Sequence, residues 1–175
     1  MAKKIGVVIY DGFETLDVYG PLGLLVGGIR SEEEKYNATL IGDLYSHPNS
    51  IISSSAGLPT PVTHGLQEAK DKDYDILLIP GGLGNRRLLP DVQYRQALLH
   101  TAESVLERGG IIFCVCTGSI LLGATGLLNG KTATTNKNVF DELTPHYPHV
   151  NWKREARWVV DGNIITSSGI AAGMV

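Results

Sequence analysis

The sequence predicts an α/β protein whose mostly parallel β-sheet is sandwiched between helices. Short apolar runs rich in β-branched residues occupy residues 5–10, 75–79 and 111–114, and polar or glycine residues bound each run. Such runs are typical of strands buried on both faces, which belong to parallel sheets. Segments with helical spacing alternate with these runs, which favours a single α/β domain over residues 1–175.

The helical segments follow the strands in order. From Thr15 onward, apolar residues at helical spacing predict a helix in which Pro21 causes a kink or a restart. A charged run at 31–36 predicts a solvated connection to the next strand. A second apolar stripe predicts a helix over 94–108, which a pair of glycines ends. A further helix follows the apolar run at 111–114 and extends to about Gly126.

The remaining segments are short and rich in turn residues. Residues 38–42 predict a second strand of the sheet. The stretch 46–65 is rich in Ser, Pro and Gly, with strand candidates at Ile51-Ile52 and Val62-Thr63. Near the end of the chain, Asp161-Gly162-Asn163 predicts the turn of a hairpin, which gives the domain a small β-rich insertion.

The composition is that of an ordinary globular protein and argues against several classes of partner. Hydrophobic residues make up 43% and charged residues 19% of the chain, and the formal net charge at pH 7 is -3. A weakly acidic chain offers no electrostatic basis for binding nucleic acid or an anionic membrane. No apolar run approaches the roughly 20 residues that cross a bilayer, and the first residues enter a strand pattern, so we expect a cytoplasmic protein.

Cysteine and histidine usage predicts no disulfide and no metal site, and we expect no cofactor. Cys114 and Cys116 are separated by one residue, which is too close to bridge comfortably, and they lack the further Cys or His residues of a zinc site. None of the five histidines has a paired metal-ligand spacing with a nearby carboxylate. We expect His64 to lie on the surface, and a position at the pocket rim is the alternative, because this residue follows a short strand candidate. Reduced thiols are the simplest interpretation.

The apolar run that ends at Cys116 turns directly into a helix-like run, which is typical of a nucleophile elbow. The small residues Cys114 and Gly118 lie two positions to either side, as a sharp turn requires. At a helix N-terminus a thiol meets unpaired N–H groups and the positive end of the helix dipole, which stabilise the thiolate. The pattern therefore predicts a nucleophile, although two small core cysteines are the more common alternative for this stretch alone.

Two other segments follow strands at the same end of the predicted sheet. Asp17 lies in the first turn of the first helix, and Gly81 and Gly82 follow the strand at 75–79. Because ligands of parallel sheets bind outside the carboxyl ends of the strands, we expect these residues on one rim with Cys116. Paired glycines let backbone N–H groups approach a ligand, as an oxyanion site requires. A helix-start carboxylate and a plain tight turn are the alternatives.

Five motifs, in this order and spacing, resemble those of the DJ-1/PfpI superfamily along essentially the whole chain. They are Leu16-Asp17-Val18-Tyr19-Gly20-Pro21, Ile79-Pro80-Gly81-Gly82, Val115-Cys116-Thr117-Gly118-Ser119, Gly126-Leu127-Leu128-Asn129-Gly130-Lys131-Thr132-Ala133-Thr134-Thr135, and Asp161-Gly162-Asn163 followed by Thr166-Ser167-Ser168-Gly169-Ile170. The resemblance implies a flavodoxin-like fold with an elbow nucleophile at Cys116. It also implies a homodimer.

The residue after the nucleophile separates branches of this superfamily. Thr117 stands where the protease-like and glyoxalase-like members have histidine, so we expect neither activity. Asp17 together with Cys116-Thr117-Gly118 resembles the isocyanide hydratase branch, and equally the ligand-binding domains of certain AraC-type regulators. Asn136-Lys137 replaces the usual His-Trp of hydratase-like members, at a position that shapes the substrate pocket.

The resemblance implies a cysteine-dependent hydratase that converts a small isocyanide (isonitrile) substrate to an N-formyl amide. The implied catalytic residues are Cys116, Asp17 and Thr117, and the implied oxyanion or substrate-binding residues are Gly81, Gly82, Gly118 and Asn136. In this role Asp17 protonates the intermediate and activates water, which requires a raised carboxyl pKa. The alternative is a non-catalytic ligand-binding protein or a cysteine-oxidation sensor.

The end of the chain differs from the superfamily pattern. Members continue with a C-terminal helix packed on the sheet, whereas this sequence ends at Val175. We therefore expect a domain over 1–175 that lacks this helix and exposes an apolar face of the sheet.

Overall fold

A computed structural model describes residues 3–27 and 36–174. Within these residues, seven strands form the main sheet, and every neighbouring pair is parallel except one edge pair, which is the first pair in the spatial order below. In spatial order the strands are β10 (Trp158–Asp161), β11 (Ile164–Ser167), β7 (Ile111–Val115), β6 (Ile76–Ile79), β1 (Lys3–Val8), β2 (Tyr36–Gly42) and β5 (His64–Gly65). The predicted mostly parallel α/β fold is confirmed.

Helices cover the sheet, and two small two-stranded sheets lie outside it. The helices are α1 (Thr15–Leu25), α2 (Leu66–Ala69), α3 (Asn85–Leu88), α4 (Val92–Glu107), α5 (Gly118–Gly123) and α6 (Phe140–Leu143). The small sheets pair β3 (Ile51–Ser53) with β4 (Pro59–Pro61), and β8 (Thr132–Ala133) with β9 (Asn151–Trp152). Short 3₁₀ turns occupy Lys137–Val139, Thr144–His146 and Ala171–Met174. None of the described helices is long and apolar enough to cross a bilayer.

Several element boundaries differ from the predictions for local reasons. Helix α1 continues through Pro21 and does not restart there. Helix α4 begins two residues before the predicted start, because the Asp91 side chain accepts a hydrogen bond from the Tyr94 N–H and caps the helix. The strand candidate at Val62-Thr63 is wrong, since the partner of β3 is the preceding segment β4. Except for Tyr36, the predicted connection at 31–36 lies outside the described residues.

The two faces of the sheet are covered to different degrees. Leu77, Ile112 and Cys114 point to the face covered by α4 and α5, and all three are fully buried. Ile111 and Phe113 alternate with them, are only half-buried, and line an apolar groove of about 500 Å³ together with α1 and Ala171–Met174. The side chains on the face covered by α4 and α5 are therefore more deeply buried than those on the face that lines the groove.

The carboxyl ends of β1, β6 and β7 meet at one edge of the sheet, because these strands are parallel neighbours. The loop after β1 leads into α1, the loop after β6 leads into α3, and the turn after β7 leads directly into α5. The hairpin between β10 and β11 turns through Gly162, which has a φ of 59°, as the turn signal predicts. The edge formed by the carboxyl ends of β1, β6 and β7 contains the candidate site.

Candidate active site

Cys116 occupies a sharp turn between β7 and α5. Its φ of 56° lies in the left-handed region, which is strained for a residue with a side chain and is found at functional sites. The turn is tight because α5 begins against β6: a Cβ on Gly118 would lie only 2.1 Å from the Ile79 carbonyl oxygen. Gly118 is thus a packing residue. It is buried and does not line the cavity at Cys116, and its role in oxyanion or substrate binding stays a prediction.

Residue Cys116 is 7% exposed, and its sulfur has a polar neighbour from a distant part of the chain. Asn136 Nδ2 donates a hydrogen bond to Cys116 Sγ over 3.0 Å. The amide is oriented by its other end, because Asn136 Oδ1 accepts a hydrogen bond of 2.8 Å from the Asn138 N–H. A donor aimed at sulfur favours the thiolate over the thiol. The structure therefore places Asn136 where it can act on the nucleophile itself.

Asp17 is fully buried in the first turn of α1. Its Oδ2 atom accepts a hydrogen bond of 2.9 Å from the Gly81 N–H, whereas Oδ1 has no partner among the described residues. Burial raises the pKa of Asp17 to about 7, with a further rise from the charge of Glu14, against the hydrogen bond from Gly81 and the interaction with the Cys116 thiol. The raised carboxyl pKa agrees with the requirement for a proton donor near neutral pH.

Burial opposes the thiolate that a helix start favours. Burial, and after it the charge of Asp17, raise the pKa of Cys116 to about 11, although hydrogen bonds from Asn136 and Thr117 oppose the rise. The raised pKa favours a thiol in the resting protein, so any nucleophilic attack by Cys116 requires its deprotonation first. The role of Cys116 as a nucleophile stays a prediction.

The N–H groups of the glycine pair after β6 donate to neighbouring side chains in this structure, and the predicted oxyanion role of the pair stays a prediction. The Gly81 N–H is bonded to Asp17, and the Gly82 N–H donates to Thr117 Oγ1 over 3.3 Å. Both donors thus have partners within the protein. A Cβ on Gly81 would lie 2.7 Å from the Thr117 N and 2.9 Å from Cys116 Cβ, so glycine is needed for the elbow to pack here. The pair holds Asp17 and Thr117 in place around the sulfur.

Asn85 is a buried polar residue that the sequence analysis did not identify. Its Nδ2 atom donates to Thr117 Oγ1 over 2.8 Å and to the Thr117 carbonyl oxygen over 3.2 Å. It begins α3, directly after the glycine-rich loop, and is 3% exposed. Its position a few residues after the glycine pair could have identified it as a candidate site residue, because loops at the carboxyl ends of parallel strands contribute to binding sites.

A cavity of about 280 Å³ opens above the sulfur. Its apolar lining comes from Leu83, Val139, Leu143 and Ile170, and its polar lining from Cys116, Thr117, Asn85, Asn136, Asn138, Glu14, Ser55 and Arg86, with Gly82 between them. Glu14 and Arg86 were also missed by the sequence analysis. Glu14 caps α1 and accepts a hydrogen bond from Ser55, and Arg86 lies 3.8 Å from Glu142 at the exposed rim. The volume suits a small molecule of mixed polarity.

Among residues 3–27 and 36–174, no three His, Cys, Asp or Glu side chains come together as metal ligands. His64 corrects another expectation, because it is buried and not on the surface. Its ring nitrogens lie 2.9 Å from the Gly65 carbonyl oxygen and 2.9 Å from the Tyr74 hydroxyl. It is a satisfied core residue outside the site.

Relatives of this chain include both characterised and uncharacterised proteins. An uncharacterised protein of Staphylococcus aureus strain Mu50 is 32% identical over 167 residues, which is 95% of this chain and 90% of that protein. The isonitrile hydratase of Pseudomonas putida is also 32% identical, over 174 residues that make up 99% of this chain and 68% of the hydratase.

Solved structures have the same fold. A ThiJ/PfpI family protein from Pseudomonas syringae gives a TM-score of 0.80 at 26% identity, covering 99% of this chain and 65% of that one. Drosophila melanogaster DJ-1beta gives a TM-score of 0.78 at 21% identity, covering 99% of this chain and 86% of that one. The model of the DJ-1/PfpI family matches residues 3–174, and with these relatives it follows that the chain belongs to the DJ-1/PfpI family.

Proposed function

We propose that this protein is a cysteine-dependent hydratase for a small electrophile, similar to isonitrile hydratase. The observation that carries the proposal is the arrangement at the sulfur: Cys116 Sγ accepts a hydrogen bond from Asn136, and the buried carboxyl of Asp17 interacts with the same thiol. A nucleophile paired with a carboxyl group that titrates near neutral pH suits a reaction in which one proton leaves and returns. The likeness to the Pseudomonas putida isonitrile hydratase supports this choice of substrate class.

In the first half-reaction the thiol adds to the isocyanide carbon. The Cys116 proton moves to the Asp17 carboxylate, the sulfur bonds to the carbon, and Asp17 returns the proton to that carbon. The product is a thioimidate, R–N=CH–S–Cys, which has gained one S–C and one C–H bond. Asn136 Nδ2 stabilises the negative charge on sulfur before attack, since its hydrogen bond to the sulfur is already formed.

The proton transfer from the Cys116 thiol to the Asp17 carboxylate is uphill, because burial raises the pKa of the thiol above that of the carboxyl group. The thiolate therefore forms only transiently, when the substrate carbon is in place to react with it.

In the second half-reaction water replaces sulfur. The Asp17 carboxylate takes a proton from water, the oxygen bonds to the thioimidate carbon, and the proton goes to the nitrogen. The C–S bond then breaks, the carbonyl forms, and the remaining proton of the former water returns to the sulfur. The sum is one isocyanide plus one water giving one N-formyl amide, with Cys116 and Asp17 regenerated.

The cysteine-oxidation sensor is the second candidate, and the chemistry of the thiol supports it less well. A sensor cysteine needs an exposed thiol with a low pKa. Cys116 is 7% exposed, and burial raises its pKa to about 11. The hydratase requires deprotonation only in the presence of substrate, so it is more compatible with this environment.

The proposal is tested by following the appearance of the formamide from a small alkyl or aryl isocyanide. We expect turnover by the wild type and a loss of at least about 100-fold in Cys116→Ala and Asp17→Asn, because each removes a group that forms or transfers a bond in the reaction. Cys114→Ala is the matched control, since it removes a fully buried thiol two residues away and should retain turnover. Turnover that persists in Cys116→Ala contradicts the mechanism.

A further inference from the structure

The orientation of the Asn85 amide is determined by its hydrogen bonds. Asn85 Nδ2 lies 3.2 Å from the Thr117 carbonyl oxygen. A carbonyl oxygen only accepts hydrogen bonds, so the atom facing it has to be the amide nitrogen and not the amide oxygen. The same nitrogen lies 2.8 Å from Thr117 Oγ1. Asn85 therefore donates to the Thr117 hydroxyl and does not accept from it.

The hydroxyl of Thr117 has one hydrogen to donate and two lone pairs that accept. One lone pair accepts from Asn85 Nδ2, and the other accepts from the Gly82 N–H at 3.3 Å. With both acceptor positions used by groups that can only donate, the hydroxyl hydrogen is directed away from both. The environment of Thr117 thus determines which way its hydroxyl points.

The Cys116 side chain lies beside this hydroxyl. A Cβ placed on Gly81 would lie 2.7 Å from Thr117 Oγ1 and 2.9 Å from Cys116 Cβ, so the two side chains flank the same small space. The sulfur is an acceptor, and Thr117 lines the same cavity of about 280 Å³. A hydrogen bond from Thr117 is among the interactions that lower the pKa of the Cys116 thiol.

We propose that Asn85 is a positioning residue for the nucleophile: by occupying an acceptor position of Thr117 Oγ1, it makes the Thr117 hydroxyl a hydrogen-bond donor to Cys116. As a statement about catalysis this rests on the proposed hydratase function, in which the thiolate has to be stabilised during attack. As a statement about the thiol it is independent of any substrate. The ionisable groups around the sulfur and its cavity are Asp17, Glu14, Arg86 and Tyr10, and the variants below leave all four unchanged.

The test is a double-mutant cycle read out by alkylation of Cys116 with iodoacetamide at pH 8, followed by intact-protein mass spectrometry. Thr117→Val removes the hydroxyl and should slow alkylation about tenfold, because a hydrogen bond to a charged group is lost and the thiolate fraction falls. Thr117→Ser should stay within about twofold of wild type. Asn85→Leu should slow alkylation about threefold, because the hydroxyl is no longer held as a donor.

The decisive measurement is Asn85→Leu in the Thr117→Val background, where we expect no further slowing. A change in reagent access caused by the leucine would appear in both backgrounds, whereas an effect transmitted by the hydroxyl vanishes when the hydroxyl is absent. Equal slowing in both backgrounds, or none in either, overturns the proposal. Asn85→Ala is the second variant in case the leucine prevents folding, and the same cycle applies to it.

Asn163→Leu is the control for loss of an asparagine amide that donates to backbone carbonyl oxygens away from the site. Its side chain donates to the Gly109 and Gly110 carbonyl oxygens at the opposite end of the sheet, and alkylation of Cys116 should be unchanged. Isocyanide turnover is measured on the same variants. Absence of turnover in the wild type counts against the hydratase proposal alone, while the alkylation cycle still decides the role of Asn85.

Discussion

Cys114 and Cys116 are two residues apart in one segment, both are reduced, and both are buried, yet their surroundings differ. Cys114 lies in the middle of the sheet, where its neighbours on the adjoining strands are Ile79 and Thr166. Cys116 lies one residue past the end of β7, with Asn136 bonded to its sulfur and Asp17 nearby. Burial raises the pKa of both thiols, but only Cys116 has polar groups that oppose the rise.

The difference indicates that the reactivity of a cysteine in this fold depends on where the strand ends. Within the strand each side chain projects to one face of the sheet, and that of Cys114 is fully buried there. Past the strand, the left-handed turn at Cys116 brings its side chain close to three other segments of the chain. These are the first turn of α1, which contains Asp17, the loop after β6, and the loop that contains Asn136. The contrast between the two cysteines can therefore be tested directly.

The largest expected difference is in alkylation of the folded protein. Because Cys114 is fully enclosed by the sheet, α4 and α5, iodoacetamide should modify Cys116 at least about 100 times faster. Peptide mapping by mass spectrometry after a timed reaction at pH 8 measures both sites in one sample. In urea the two rates should become equal. Comparable rates in the folded protein would contradict the described burial of Cys114.

The fold was largely predictable from the sequence because fully buried parallel strands are continuous apolar runs, and the runs at β1, β6 and β7 are of this kind. The hairpin of β3 and β4 was not predictable, because β4 consists of Pro59–Pro61 and prolines disfavour a strand assignment. Its pairing depends on contacts with β3 that no local pattern of residues indicates.

The sequence predicted several residues of the candidate site, but it did not predict the ionisation state of Cys116. Cys116 and Asp17 follow strands at the expected rim, and the structure brings them together. The ionisation of Cys116 was not predictable, because a helix N-terminus is visible in a sequence, whereas the burial that outweighs it is not. Asn85 was missed for the same reason: its contact with Thr117 exists only because α3 lies against the start of α5.

The second prediction concerns the charge beside Cys116. The Asp17 carboxylate raises the pKa of the thiol, so Asp17→Asn should lower this pKa and speed modification of Cys116 several-fold at pH 8, even though turnover is lost. Below about pH 6 the wild-type carboxyl is mostly protonated, given its pKa of about 7, so the rates of variant and wild type should converge. Cys114 should not respond at any pH.

The measurement is the pH dependence of modification by methyl methanethiosulfonate, a small reagent that reacts fast enough to follow below neutrality. Asp75→Asn is the matched control: Asp75 also accepts a hydrogen bond from a backbone N–H, that of Lys4, but at the opposite end of the sheet. It should leave the profile of Cys116 unchanged. A ratio of variant to wild-type rate that is constant from pH 5.5 to 8.5 contradicts an electrostatic effect of Asp17.

The smallest expected effect is on stability, and its sign should differ between the two positions. At residue 116 the φ of 56° disfavours any side chain, so Cys116→Gly should be more stable than Cys116→Ala by about 1 kcal/mol. Cys114 lies within an extended strand, where glycine loses more conformational freedom on folding, so Cys114→Gly should be less stable than Cys114→Ala by about 1 kcal/mol.

The free energy of unfolding of these four variants in urea gives the two differences, each between variants that lack the thiol. Both variants at one position lack the sulfur, so its effect on the free energy of unfolding mostly cancels in the comparison of glycine with alanine. The remaining difference reflects the backbone conformation at that position. If Cys116→Gly were no more stable than Cys116→Ala, the turn at Cys116 would not be left-handed in solution. If Cys114→Gly were as stable as Cys114→Ala, the extended strand at Cys114 would be contradicted. The opposite signs follow from one change of backbone conformation within two residues, the change that places Cys116 beside Asn136 and Asp17.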